Sequence, residues 1–272
     1  IERFLDRKNQ NILSSLFNDI NASLIFNLDN IYLEKNEYLK NFEGELDIKN
    51  NKLFLAKINA VLENESKFSY SLRTTMKNEK ITNIFIEKPR PFINNYKFIK
   101  GFEEGALKLN SVKIDNSSRS KLKIINFKVK EVPVLAKILT LASLQGIADL
   151  LTGEGIRFDE FEMDFKTKNN LTEIEEMYAI GPAISIMMEG YIEKDRMTSL
   201  RGTLVPATTI NKTISKIPLL GDILVGRKSG EGVFGVSFKI KGPPNNLKST
   251  VNPIKTLTPR FITRTLEKIK GS

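Results

Sequence analysis

The chain of 272 residues contains no cysteine, no histidine and no tryptophan. Without Cys there is no disulfide and no thiolate metal site, although this does not fix the compartment. Without His the commonest general base and the commonest metal ligand are both missing. Ser-His-Asp and Cys-His catalysis are therefore excluded within this chain, and it is expected to be no enzyme, with no cofactor and no metal. Long uncharged apolar runs are also lacking. The most apolar window, Val132 to Leu151, has about the length of a membrane span. It contains Lys137, Gln145 and Asp149, with Pro133 at its start. Charges that deep argue against a spanning helix and for a docked or interfacial one. No signal peptide is evident, and a chain opening at Ile1 reads as a piece of a longer one.

What the chain has in plenty is Lys, Asn and Ile. The 42 Lys and Arg against 32 Asp and Glu give a net charge of +10. Such a surplus suits nucleic acid, an anionic membrane surface or a general Lys bias. The lysines are spread over nearly every segment rather than clustered among aromatics, so no nucleic-acid partner is expected.

The periodicity of the apolar residues changes along the chain. Ile1, Phe4, Leu5, Ile12, Leu13, Leu16 and Phe17 recur at helical spacing. From Ile20 the period becomes two: Ile20 to Leu28, Phe42 to Ile48, Phe54 to Leu62, then Phe68, Tyr70, Leu72 and Met76. Polar turns separate these strands at Asn50-Asn51, Asn64-Glu65-Ser66 and Lys77-Asn78-Glu79. Pro89 and Pro91 break the run, and Phe92 to Gly105 reads as irregular or a short helix. Strands resume at Ala106–Ile114 and Lys121–Lys130. A helix opens at Pro133 and stops before Gly153. Further strands follow at Phe161–Phe165, Ile184–Ile192 and Phe234–Ile240. Thr209–Lys216 and Pro259–Lys270 read as amphipathic helices.

Two motifs invite a sharper reading and fail it. Gly221 to Ser229 misses the phosphate-loop pattern by one residue, because Arg227 stands between Gly226 and Lys228, and a strand rather than a helix follows. A tight glycine turn is the plainer account. The acidic pairs Asp159-Glu160 and Glu175-Glu176 point to opposite faces of a strand and do not converge. They are expected in solvated turns or at strand edges. Alternation alone leaves a β-sandwich and an open, groove-forming sheet as alternatives.

From residue 131 onward the chain resembles the C-terminal region of AsmA-like envelope proteins, in particular the YhdP-type (TamB- and YhdP-related) proteins of alphaproteobacteria. The resemblance rests on Val132-Pro-Val-Leu-Ala-Lys-Ile-Leu139, Ala142 to Leu151, and Gly153-Glu-Gly-Ile-Arg-Phe-Asp159. Gly181-Pro-Ala183, Leu200 to Ala207 and Ile217-Pro-Leu-Leu-Gly-Asp-Ile-Leu-Val-Gly226 come next. Gly230 to Gly235, Lys241-Gly-Pro243 and Val251-Asn-Pro253 close the series in the same order. Residues 1–130 share only the general strand pattern. Lys137 stands where the helix usually carries Arg, and Thr208–Lys212 is more polar than usual.

The resemblance implies a mainly β fold with a few helices: a curved antiparallel sheet forming an apolar groove, capped by helices. It implies a leading helix and groove strands in residues 1–130, continuous with the family's C-terminal region in 131–272. It further implies a periplasmic segment of an inner-membrane-anchored protein that reaches towards the outer membrane and handles phospholipid without chemistry. Acyl chains would then meet Phe26, Leu46, Ile58 and Leu72 on one concave side, and Ile186, Met188 and Val236 further along. The helix from Pro133 to Leu151 would plug one end of the groove or serve as ordinary core, packing Leu135, Leu139 and Leu144 on the sheet. The basic terminal helix would touch a membrane surface. The alternative is a docking module for outer-membrane assembly that conducts no lipid.

Overall fold

A computed structural model of the chain describes residues 20–34, 37–62, 65–93, 100–206 and 235–254. The expected leading helix, the Thr209–Lys216 helix, the Gly221–Ser229 turn and the Pro259–Lys270 helix lie outside the described residues.

The described chain is mainly β. Its strands are β1 (Ala22–Glu34), β2 (Glu37–Lys49), β3 (Lys52–Leu62), β4 (Lys67–Thr74), β5 (Lys80–Ile86) and β6 (Lys100–Ile114). After these come β7 (Ser117–Lys130), β8 (Ile156–Lys168), β9 (Leu171–Ile180), β10 (Ile184–Glu193), β11 (Met197–Pro206), β12 (Gly235–Gly242) and β13 (Lys248–Ile254). Three helices are described: α1 (Arg90–Ile93), α2 (Pro133–Leu141) and α3 (Gln145–Thr152). The strands form one 13-stranded antiparallel sheet in sequence order. The order runs from β1 at one end to β13 at the other without closing, so the sandwich alternative does not apply.

Tight turns set most of this order, and longer connections join β5 to β6, β7 to β8 and β11 to β12. Asn50 and Asn51 both take positive φ, 49° and 59°, as a two-residue hairpin of matching twist demands, and Asn tolerates that region. Asn78, Asp115, Asn169 and Asp195 occupy the same region in other hairpin turns. Four strands escape the sequence reading, and each lacks clean alternation. In β5, Ile81 and Phe85 are apolar on the face opposite Ile84 and Ile86. Strand β9 is bulged, so Ile174 and Met177 share a face. Strand β11 has Gly202 where the apolar series needs a side chain, and β13 carries Pro253. The expected irregular stretch is corrected as well: α1 is helical, but Lys100–Gly105 is strand. Gly101 and Gly105, at φ 68° and 80°, make the backbone irregularities that disguise it.

Residues group into two compact units. Unit 1 comprises 1–87 and 109–115, and unit 2 comprises 88–108 and 116–272, so that β6 contributes to both. The helices described all belong to unit 2. There Phe102, Phe127 and Phe158 stack across β6, β7 and β8 with centroids 5.5 and 5.4 Å apart, and Phe161 meets Phe127 edge-on at 6.5 Å. Onto this sheet face α2 and α3 lay Ile138, Leu139, Ala148 and Leu151, all buried.

The single helix expected over Pro133–Leu151 is two. Ser143 takes φ 59°, its N–H bonds Thr140 O at 3.0 Å, and the Leu144 N–H bonds Leu139 O at 2.9 Å. This pairing of a 6→1 with a 5→2 bond is the Schellman stop. It turns Leu144 back towards the core together with Leu135, while Leu139 is fully buried. Among the described residues no helix is long and apolar enough to cross a membrane.

Candidate functional site, an apolar sheet face

Cross-strand register decides which side chains share a face, because paired residues point the same way. In unit 1 one row runs Phe26–Gly44–Ile58–Tyr70–Ile84 across β1 to β5. The next runs Leu24–Leu46–Ala56–Leu72–Thr82. The register thus brings Phe26, Leu46, Ile58 and Leu72 to one face. Beside them Leu28 pairs with Phe42, and Ala60, Phe68 and Ile86 align across β3 to β5.

Glycine shapes this face. A Cβ on Gly44 would collide with Lys57 O and come within 3.0 Å of the Phe26 ring. The missing side chain lets Phe26 lie towards β2, where it stacks on Phe42 at 5.4 Å and 21°. Burial is graded across the strands. Ala56 and Ile58 are buried, and Phe26, Leu46 and Leu72 are half-buried. Leu24 and Leu28 remain 52% and 47% exposed. These two leucines are the site residues that sequence reasoning left out, although they belong to the same even-numbered series as Phe26. The reverse face is mixed: Ile25, Leu55, Ile81 and Phe85 lie on it among polar pairs, where Lys57 meets Glu45 at 2.7 Å, Asn83 Nδ2 donates to Ser71 Oγ at 3.3 Å, and Asn110 Nδ2 to Asn83 Oδ1 at 2.7 Å.

Unit 2 repeats the pattern with a different outcome. Ile186 lies between Ala179 and Leu204, with Val236 beyond, and Met188 between Met177 and Gly202, with Phe238 beyond. Phe238 closes over Gly202 as Phe26 does over Gly44. Here, however, the helix pair occupies the face, α2 reaching β13 and α3 reaching β7. Ile186 and Val236 are buried in the same core as Leu139 and Leu151, and Met188 is half-buried at its margin.

The polar face of unit 2 carries ion pairs rather than solvated single charges. Glu160 and Glu162 are only 4% and 7% exposed. Lys123 meets Glu160 at 2.6 Å, Tyr178 donates to Glu160 at 3.3 Å, and Lys121 bonds Glu162. Glu176 is buried as well. The expectation that these carboxylates stand in solvated turns is thereby corrected for Glu160 and Glu176. Burial pushes the Glu162 carboxyl up, but hydrogen bonds from Lys121 and Tyr178 and the charges of Lys121 and Lys123 outweigh it and hold the pKa below its ordinary value. Lys130 and Lys128 lower Glu103, Arg157 lowers Glu104, and Lys166 lowers Glu175.

An apolar face of this kind can hold hydrocarbon. Among known proteins, no family model, no curated protein and no solved structure matches the chain.

Proposed function

We propose that the chain is a non-enzymatic phospholipid-handling segment whose acyl-chain site is the apolar face of unit 1. The observation that carries this is the contrast between two faces with the same cross-strand pattern. In unit 2 the face is filled by α2 and α3. In unit 1, which has none of the described helices, Leu24 and Leu28 stay half-exposed beside Phe26, Phe42 and Leu46. Large apolar side chains in a contiguous exposed patch mark a binding surface. Five strands at about 4.8 Å spacing give a row of roughly 19 Å, and one leaflet of a bilayer core is about 15 Å deep. The length of one row therefore matches an acyl chain, which would meet the face first at its exposed β1 end, since Ala56 and Ile58 are buried. Each buried CH₂ contributes about 0.8 kcal/mol, so a sixteen-carbon chain gains roughly 10 kcal/mol if most of it is covered. The contacts are many, weak and equivalent, which lets a lipid move along the face instead of being trapped.

The resemblance to AsmA-like proteins supports the same reading and adds its setting, a periplasmic conduit from an inner-membrane anchor towards the outer membrane. Native mass spectrometry of the purified chain checks the proposal. The intact chain should carry phospholipid, and Leu24→Asp/Leu28→Asp should lose it while remaining folded, since both positions are exposed. Ile25→Asp, on the reverse face at 82% exposure, should keep it. Absence of phospholipid from the intact chain, or equal occupancy in all three proteins, would favour the docking-module alternative.

A further inference from the structure

The polar face of unit 2 carries a cavity that the acyl-chain reading does not use. A hollow of about 880 Å³ opens over β9 to β13. One cross-strand row through it runs Glu173–Tyr191–Ser199–Lys241–Lys248. A second row holds Glu189–Arg201–Lys239–Thr250. Both are graded in charge, from carboxylates on β9 and β10 to ammonium groups on β12 and β13.

The two ends are satisfied differently. Towards β9 and β10, Arg201 holds Glu189 at 2.7 Å, and Lys166 and Arg119 hold Glu175. Lys239, Lys241 and Lys248 are exposed and form no ion pair among the described residues. Lys241 and Lys248 are direct cross-strand partners, an arrangement that like charges destabilise. Lys239 lies two residues from Lys241 on the same face, about 7 Å along the strand, and β13 is about 5 Å away. Three flexible lysine stems thus converge on one volume. Ser199 and Thr250 border it with hydroxyl donors.

We propose that this basic end binds a phosphate-bearing anion. A phosphate ester brings close to two negative charges and several strong acceptor oxygens to one point. That matches three ammonium point charges with rotatable donors, and the bound anion would offset the repulsion between Lys241 and Lys248. A single carboxylate would leave two of the three cations uncompensated. The inference does not rest on the acyl-chain proposal, because it concerns the polar face of unit 2 and none of the residues of the acyl-chain site.

The test is calorimetric titration of the intact chain with inorganic pyrophosphate. Saturable binding is expected, at least tenfold weaker in Lys241→Gln/Lys248→Gln and unchanged in Lys52→Gln/Lys67→Gln, which removes the same charge from unit 1. Pyrophosphate should also raise the thermal midpoint of the intact chain but not of the unit 2 variant. Vesicles of phosphatidylcholine with phosphatidic acid then separate two sources of the same chemistry. Competition by these vesicles, but not by pure phosphatidylcholine, assigns the site to a lipid headgroup. Pyrophosphate binding without vesicle competition assigns it to a soluble phosphate compound. No saturable binding, or equal weakening in the two double variants, overturns the proposal.

Discussion

Glu162 shows how one carboxylate can couple the polar face to pH. Its folded pKa lies below the ordinary value of 4.5, because Lys121, Tyr178 and Lys123 together outweigh burial. Between the folded and unfolded pKa values the unfolded chain binds the extra proton, so stability rises with pH across that window. The contribution is fully present above about 4.5 and is lost as pH falls through the depressed value. Glu103, Glu104 and Glu175 act in the same direction. Thermal melts between about pH 3 and pH 7 should show a midpoint that falls on acidification, and Glu162→Gln should flatten that fall. An unchanged acid limb in the variant would mean that the ion pair with Lys121 does not hold in solution. None of this was legible in the sequence. Alternation assigns Glu162 to the polar face, but only the register that sets Lys123 and Tyr178 opposite it shows that the face is closed over by long side chains.

At the scale of elements, the helix pair is the clearest case of a signal read correctly in kind and wrongly in extent. Pro133 and Gly153 bracket helical sequence as expected, yet no Gly or Asn marks the break at Ser143. The apolar stripe runs on through Leu144, and the stop becomes visible only through the backbone bonds to Thr140 and Leu139. Ser143 holds a left-handed conformation that glycine takes without steric cost. Ser143→Gly should therefore raise stability by about 0.5–1 kcal/mol. Urea denaturation reads this as a higher midpoint at unchanged slope; a lowered midpoint would show that the serine side chain stabilises the turn. Strands were legible where alternation is strict, as in Phe54 to Leu62. They were not where a bulge at Glu175 or a glycine at position 202 interrupts it. The Asn50-Asn51 turn was legible because few residues tolerate its backbone.

For the whole molecule, alternation fixed the presence of many strands with one apolar side, but not their order. A sandwich and an open sheet present the same period of two. Short hairpin connections join most consecutive strands, while β7 and β8 pair across the helix pair, and the apolar rows follow from this sequential order. That Phe26, Leu46, Ile58 and Leu72 share a face was legible because even-numbered positions stay in phase across β1 to β4. The burial of Ile186 and Val236 was not, since it depends on where α2 and α3 come to rest. Photo-crosslinking reads the proposed lipid face at the resolution of a single side chain. A benzophenone amino acid is placed in turn at Phe26, Leu46 and Leu72, and at Ile25, Glu45 and Arg73 on the reverse face. The chain is then irradiated with phospholipid vesicles and the adducts are weighed. Lipid adducts at the first three positions and none at the second three are expected. Equal labelling of both faces, or none at Phe26, Leu46 and Leu72, would contradict an acyl-chain site on the apolar face of unit 1.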